Sequence, residues 1–361
     1  MMDEATASFL RKTYREYYFN NPDSVELPTN IEEREFGYIP FDGSMIRHLA
    51  FANSGELIAE LVRQAPSSVY CSNARYSHPR LPMEEKGWTG ADLIFDIDAD
   101  SIPTLCKSRH NRWYCRNCRK EGRVPRPAAC PYCHEANPIE VRWTCLECLN
   151  ATREHAHKLI DFLRRDFGVS EMKIRTYFSG SRGYHVQVQD ERFNPLNSQS
   201  RAEIANYIRG EGVLLPKSRT SSTTQHEEYG WSERVRLFAS TTAEQTGRKG
   251  ARDSQRLAKV LQMNAAMIDQ SVTTDIHRVF RMPGTVHGNS GLLKMRVTSL
   301  DDFDPTVDPV ILQDERVRVY IEYSPQFQLK GEQFGPYNST LTDLPMYAAV
   351  FLLTKGLAKI S

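Results

Sequence analysis

The sequence predicts an α+β fold, with mixed β-sheets, flanking helices and two inserted segments. Helical periodicity and strand-like alternation both occur along the 361 residues, but without a regular alternation of strand, helix and strand. A cysteine-rich segment spans 101–148, and a segment without strand alternation spans 195–270. We therefore expect a core formed by 1–100, 149–194 and 271–361, a stem at 101–148 and a helical insertion at 195–270.

Periodicity and turn residues predict the elements in chain order. The first is an amphipathic helix at 8–20, with Phe9, Thr13 and Tyr17 on one face and Pro22 just beyond its end. A helix at 150–167 is closed by Gly168. The other expected elements are strands at 68–72, 92–98, 173–178, 184–189, 273–281, 292–298 and 317–323, and helices at 253–264 and 344–359.

Composition and charge restrict the class of protein. A charged fraction of 25% and a hydrophobic fraction of 40% are typical of globular proteins, and no apolar run reaches membrane-spanning length. The first four residues resemble no signal peptide, so we expect a cytoplasmic protein associated with the nucleoid. The net charge is +1, yet residues 101–130 carry +7 and the remainder −6. This basic block favours a polyanionic partner, with a solvated basic loop as the alternative.

Two segments carry candidate catalytic carboxylates. Asp96 and Asp98 end an apolar strand, and alternation puts both side chains on one face. If 272–278 is also a strand, Asp275 and His277 share a face in the same way. Three carboxylates on adjacent strands would bind Mg²⁺ or Mn²⁺, the ions of phosphoryl and nucleotidyl transfer. The alternative is that the Asp pair merely ends a strand.

Seven of the eight cysteines fall in the stem with metal-ligand spacing. Three C-x2-C pairs and one C-x3-H pair predict structural zinc sites. The inner pairs would form one ribbon-like site, and the outer pairs a second site of three Cys and one His. A single zinc ion with idle cysteines is the alternative. The eight ligand candidates are Cys106, His110, Cys115, Cys118, Cys130, Cys133, Cys145 and Cys148.

A glycine-rich link joins two predicted strands at 179–185, with the sequence Ser-Gly-Ser-Arg-Gly-Tyr-His. Its backbone N–H groups could converge on phosphate oxygens, while Arg182 and His185 supply charge. It lacks the Gly-Lys-Ser/Thr of a Walker A loop and leads into a strand. A simple hairpin turn is the alternative.

The order of these motifs resembles the catalytic small subunit of archaeal and eukaryotic DNA primases. The resemblance rests on Glu35-Phe36-Gly37, Arg47 to Phe51, Asp96-Ile97-Asp98, the Cys/His cluster, Ser179 to His185, Thr274 to Arg278 and Arg281 to Gly288. It implies a mixed-sheet core with a zinc stem and a small helical subdomain. It also implies an enzyme that copies single-stranded DNA template into short primers from nucleoside triphosphates.

The resemblance further implies roles for individual residues. Asp96, Asp98 and Asp275 would bind two Mg²⁺ or Mn²⁺ ions. Cys106, His110, Cys145 and Cys148 would be the family's zinc ligands. The residues implied to bind nucleotide are Ser179, Arg182, His185, Arg281, His287 and Arg47.

Two features depart from the family pattern. The phosphate loop of the family usually has two consecutive arginines, and Ser181 stands at the first position here. The stem also carries four extra cysteines.

The resemblance implies a heterodimer with a primase large subunit, acting on single-stranded DNA with NTPs or dNTPs. Two other functions are weighed against a primase. The first is a repair-type polymerase of the same superfamily, which extends existing ends. The second is a catalytically inactive zinc-ribbon protein that binds nucleic acid, and the three acidic residues count against it.

Overall fold

The computed structural model describes residues 2–213, 230–234 and 251–361, with backbone only at 251–257. Helical residues also occur at 230–234. Within the described residues no helix combines the length and the apolar character needed to cross a bilayer. The other α-helices are α1 Glu4–Asn20, α2 Ser54–Gln64, α3 Lys107–His110, α4 Leu146–Arg165, α5 Ser198–Arg209, α6 Ala251–Asn264, α7 Gln270–Thr274 and α8 Met346–Thr354.

The strands of the described residues are mostly short. In chain order they are β1 Phe36–Ile39, β2 Ile46–Leu49, β3 Ser68–Ser72, β4 Ala74–Tyr76, β5 Trp88–Ala91, β6 Leu93–Asp98, β7 Arg112–Tyr114, β8 Glu121–Arg123, β9 Ile139–Val141, β10 Ile174–Phe178, β11 Gly183–Val188, β12 Val279–Arg281, β13 Met295–Val297, β14 Arg316–Ser324, β15 Phe327–Leu329, β16 Glu332–Phe334, β17 Tyr337–Pro345 and β18 Ala358–Ile360.

Two four-stranded antiparallel sheets carry the candidate site. Their strand orders are β12-β3-β1-β2 and β13-β10-β11-β6. In the second sheet the hairpin β10–β11 pairs with β6 in a register that sets His185 opposite Asp96 and Gly183 opposite Asp98. The side chains of β6 alternate at its end, where Ile97 is buried and both aspartates are partly exposed. This mixture of sheets and helices confirms the predicted α+β class.

Helices cover the sheets with amphipathic faces. On α1 the buried face includes Leu10, Tyr14 and Tyr17, and Tyr17 donates a hydrogen bond to the carbonyl of Gly284, 3.0 Å away. On α4 the buried face includes Leu159 and Phe162. The predicted helices at 8–20, 150–167 and 253–264 are therefore confirmed, although α1 and α4 each begin four residues earlier than expected.

The cysteine-rich stem is a three-stranded sheet, in the order β8-β7-β9, that packs on the C-terminal sheet β17-β14-β18. Tyr114 of β7 stacks on Tyr323 of β14 with ring centroids 4.9 Å apart, and Arg116 pairs with Glu322 at 2.8 Å. These contacts hold β9 beside the carboxyl-terminal end of β6. The division of the chain into a core, a stem and a helical insertion stays a prediction.

Two predicted elements are wrong in part. The segment 273–281 is not one strand, because α7 ends at Thr274 and only Val279–Arg281 pairs in a sheet. The terminal helix does not reach 359: it ends at Thr354, Gly356 adopts a φ of +68°, and Ala358–Ile360 pairs with β14. A left-handed residue ends a helix irrespective of the apolar character that follows.

Candidate active site

Two of the three predicted catalytic residues, Asp96 and Asp98, line one cavity of about 640 Å³. Its wall includes the end of β6, the link between β10 and β11, β12, and residues of β9 and of the turn after α8. Three carboxylates (Asp96, Asp98 and Glu140) and five Lys or Arg side chains (Arg142, Arg182, Arg278, Arg281 and Lys355) face it. Such a surface suits a polyanion that also needs a metal ion.

Asp96 is the most perturbed carboxylate of the cavity. Burial, together with the negative charges of Asp98 and Asp269, raises its pKa to about 7. His185 Nε2 lies 3.3 Å from Asp96 Oδ1, and burial holds the pKa of His185 well below its usual value. Neighbouring carboxylates that repel one another are suited to bind a hard divalent cation, because the cation removes the repulsion.

Both carboxylate oxygens of Asp98 have a hydrogen-bond partner. Its Oδ1 accepts a hydrogen bond of 2.8 Å from the backbone N–H of Asp100, and its Oδ2 lies 3.0 Å from Arg182 Nη2. The other terminal nitrogen of Arg182 pairs with Asp100. Arg182 is thus positioned to bind either these carboxylates or an incoming anion.

The third acidic residue beside Asp96 is Asp269, and the prediction that Asp275 takes this place is not supported by its position. The backbone N–H of Asp269 donates to the carbonyl of Asp96 over 2.9 Å. Asp275 lies on the loop after α7, where it accepts from the His277 backbone N–H and lies 3.9 Å from Arg278. Neither Asp269 nor Asp275 lines the cavity itself, but only Asp269 lies close enough to Asp96 for its charge to raise the pKa of that carboxylate.

Asp269 was missed because 272–278 was interpreted as a strand. The sequence does contain a signal for it. Asp269 is the N-cap of α7, and its Oδ1 accepts from both the backbone N–H and the hydroxyl of Ser271. An Asp that precedes a short helical turn is typical of this cap.

The link between β10 and β11 adopts the expected tight loop. The N–H groups of Ser181, Arg182 and Gly183 converge on the Ser179 hydroxyl oxygen at 3.2–3.4 Å. The loop can approach β6 closely only because residue 183 is glycine, since a Cβ there would lie 1.8 Å from the carbonyl oxygen of Ile97.

Arg281 and His287 lie across the cavity from the carboxylates. Arg281 Nη2 donates to Tyr70 Oη over 3.3 Å, while its Nη1 is buried and has no hydrogen-bond partner within the described part of the chain. Burial keeps the pKa of His287 well below its usual value. Its Nδ1 accepts from the Asn289 backbone N–H over 3.1 Å, so the neutral ring carries its proton on Nε2.

Arg47 alone among the predicted nucleotide-binding residues does not line the cavity. Its Nε donates to Glu35 Oε1 over 2.9 Å, and the fully buried Lys86 lies 3.4 Å from the other oxygen of Glu35. The arginine is therefore part of a buried ion-pair cluster. This position does not support direct contact with a nucleotide.

The stem brings its cysteines and one histidine into two groups that could hold zinc. The outer group comprises Cys106, His110, Cys145 and Cys148, and the inner group Cys115, Cys118, Cys130 and Cys133. Sulfur–sulfur distances include 3.3 Å between Cys106 and Cys148 and 3.5 Å between Cys118 and Cys130. Thiolates on one tetrahedral zinc lie about 3.8 Å apart, so both groups fit.

The outer group is also joined to the cavity. Cys106 and Cys148 form a buried cluster with Ala99, the residue that directly follows Asp98. A rigid metal centre here would hold the end of β6 in place. The inner group packs against Trp113 of β7 at the far end of the stem.

The comparisons with known proteins agree with this geometry. Residues 142–299 match the DNA primase small subunit family. The chain is 35% identical to the DNA primase small subunit PriS of Cenarchaeum symbiosum, with 99% of both chains covered. It is 33% identical to PriS of Nitrosopumilus maritimus over the full length of both.

Among solved structures, the polymerase domain of Mycobacterium tuberculosis ligase D in complex with DNA aligns with a TM-score of 0.39. The identity is 13%, and 81% of this chain and 83% of that chain are covered. The full-length sequence identity to the archaeal proteins is sufficient by itself, and the chain belongs to the DNA primase small subunit family.

Proposed function

We propose that this chain is the catalytic subunit that synthesises short primers on single-stranded DNA from nucleoside triphosphates. The observation that carries the proposal is the position of Asp96 and Asp98 in a cavity that also presents five cationic side chains, with Asp269 directly beside Asp96. Carboxylates bind the catalytic ions, and the cations bind the triphosphate. An inactive zinc-ribbon protein would need neither set.

In this proposal Asp96, Asp98 and Asp269 hold two Mg²⁺ or Mn²⁺ ions. Bound there, the ions would supply Lewis acidity to the primer 3′-hydroxyl and to the pyrophosphate leaving group. Asp98 changes partner as substrate binds. Arg182, which lies 3.0 Å from Asp98 in the free protein, turns to the β- and γ-phosphates. The carboxylate of Asp98 would then be available to the metal ion. Ser179 would order the phosphate loop, because its hydroxyl oxygen accepts from the N–H groups of Ser181 and Arg182.

Arg281, His287 and His185 complete the triphosphate site. The unpartnered Nη1 of Arg281 and the Nε2–H of His287 are donors available to phosphate oxygens. His185, opposite Asp96, lies where it can orient that carboxylate through Nε2. Arg47 acts indirectly in this proposal, through the buried Glu35.

The zinc groups are structural in this proposal, with one ion in each. The chain would work as a heterodimer with a primase large subunit, on DNA in the nucleoid. Family membership supports the partner, since the relatives are named small subunits.

The test is primer synthesis on unprimed single-stranded DNA with labelled NTPs and Mn²⁺ or Mg²⁺. Wild type is compared with Asp98→Asn and with Asp302→Asn, a control that changes an aspartate outside the cavity lining. New short oligonucleotides from wild type and Asp302→Asn, but not from Asp98→Asn, would support the proposal. Extension of a supplied primer without new synthesis, even with the large subunit added, would favour a repair-type polymerase.

A further inference from the structure

The turn after α8 carries a lysine at the phosphate-loop end of the cavity. Residues 354–357 line the cavity together with Ser179, Ser181 and Arg182. Lys355 and Ser181 also border an adjoining cavity of about 320 Å³, so the two residues lie at the junction of both spaces. No sequence motif indicated Lys355, because the C-terminal segment was interpreted as a plain apolar helix.

The ammonium group of Lys355 packs against two aromatic rings, which do not neutralise its charge. The ammonium group lies 5.3 Å from the ring centroid of Trp143 and 4.5 Å from that of Phe351. No carboxylate forms an ion pair with it among the residues that the structure describes. Burial, together with the positive charge of Arg182, lowers its pKa to about 8. Two neighbouring cations at a cavity wall are stabilised when an anion binds between them.

The geometry points to a further substrate-binding role: we propose that Lys355 binds the terminal phosphates of the incoming nucleoside triphosphate. The inference deepens the proposed function and rests on it. Ser181, Arg182 and Lys355 line the same cavity, Ser181 and Lys355 also share the adjoining one, and Arg182 lies close enough for its charge to act on Lys355. Its aromatic support limits the side-chain entropy lost on binding.

The same lysine could instead serve only to pack on Trp143 and Phe351. Lys330 provides a matched control for that role, because its ammonium group lies 4.8 Å from the ring centroid of Tyr347 and pairs with Asp314 at 3.1 Å, outside the cavity. The substitution Lys355→Met keeps the length and apolar stem of the side chain and removes its charge. Lys355→Gln is a second neutral variant in case the first does not fold, and Lys355→Arg restores a cation.

The experiment measures equilibrium binding of ATP and AMP, with Mg²⁺, to the full chain and its variants. We expect Lys355→Met to weaken ATP binding by about tenfold to a hundredfold, as for loss of a charged hydrogen bond, and to leave AMP binding unchanged. Lys355→Arg should retain most of the ATP affinity, and Lys330→Met should match wild type.

If the wild type synthesises primers and the neutral Lys355 variants bind ATP as tightly as wild type, the inference about Lys355 is wrong and the proposed function stands. Equal weakening of ATP and AMP would also overturn it, because that result indicates a packing role. A wild-type chain that neither binds ATP nor makes primers would overturn the proposed function and this inference together.

Discussion

His185 and Asp96 are direct partners on the antiparallel strands β11 and β6, with His185 Nε2 3.3 Å from Asp96 Oδ1. The same register sets Gly183 opposite Asp98. Strand pairing therefore fixes the phosphate loop beside the carboxylates, although the two strands are far apart in the sequence. A slip of one residue would turn each of these side chains to the other face of the sheet.

The first prediction tests whether Asp269 or Asp275 is the third carboxylate that binds the catalytic cations. Asp269→Asn should lower the rate of nucleotide incorporation by about 10²-fold or more, because an amide cannot replace a carboxylate that binds a catalytic cation. Asparagine keeps the N-cap of α7, so the fold should survive. Asp275→Asn should change the rate by less than about threefold, which is the scale of a surface contact. Primer-extension rates for the two variants, with Mn²⁺ binding as a second readout, would decide between the two residues. A large loss of rate in Asp275→Asn with little change in Asp269→Asn would show that Asp275 is the third metal-binding carboxylate.

The second prediction concerns Arg182, which neutralises Asp98 and Asp100 in the free protein. Arg182→Gln should bind Mn²⁺ more tightly than wild type when nucleotide is absent, because the carboxylate has lost its competing cation. The same variant should bind NTP about tenfold or more weakly, having lost a phosphate contact. Mn²⁺ titration by electron paramagnetic resonance, with and without NTP, measures both effects. Weaker Mn²⁺ binding without nucleotide would contradict the exchange of partners.

The third prediction assigns different consequences to the two zinc groups. Wild type should contain two zinc ions per chain, measured by elemental analysis. Cys118→Ser/Cys133→Ser should lose one ion and keep most of the primer synthesis, because the inner group lies at the far end of the stem. Cys106→Ser/Cys148→Ser should also lose one ion, but this variant should lose most of the activity. The reason is that Cys106 and Cys148 pack against Ala99, which directly follows Asp98 in the sequence. Equal activity of the two double variants would show that the outer group does not support Asp98.

The fourth prediction is a pH effect on stability through His155. Its Nδ1 accepts from the Met267 backbone N–H over 3.1 Å, and burial, with the charge of Lys158, lowers its pKa to about 4. An unfolded histidine has a pKa of about 6.5, so between these values the unfolded state binds a proton that the folded state excludes. The free energy of unfolding should therefore decrease as pH falls from 6.5 towards 4.

The matched variant for this effect is His155→Asn, which keeps an acceptor near the position of Nδ1 but does not titrate. Denaturant unfolding at several pH values should show a steeper acid loss in wild type, by about 1–2 kcal/mol at most because solvent screens a half-buried group. Parallel pH profiles for the two proteins would contradict the role of His155. His155 anchors the segment before Asp269 to α4, so protonation of its ring would also loosen the position of Asp269.

The sequence by itself determined the two groups of candidate zinc ligands, the hairpin around 179–185 and the two aspartates of β6. These depend on spacing and alternation over a few residues, which local geometry fixes. Only the tertiary structure decided that Asp269 lies beside Asp96, that Arg47 bonds to Glu35 away from the cavity, and that Lys355 reaches the phosphate-loop end of the cavity. Asp269 and Lys355 are placed by the packing of segments distant in the sequence. Arg47 is placed by its ion pair with Glu35, twelve residues away, beside the pairing of β1 with β2. Periodicity carries no information about such contacts, because packing of separate elements sets them.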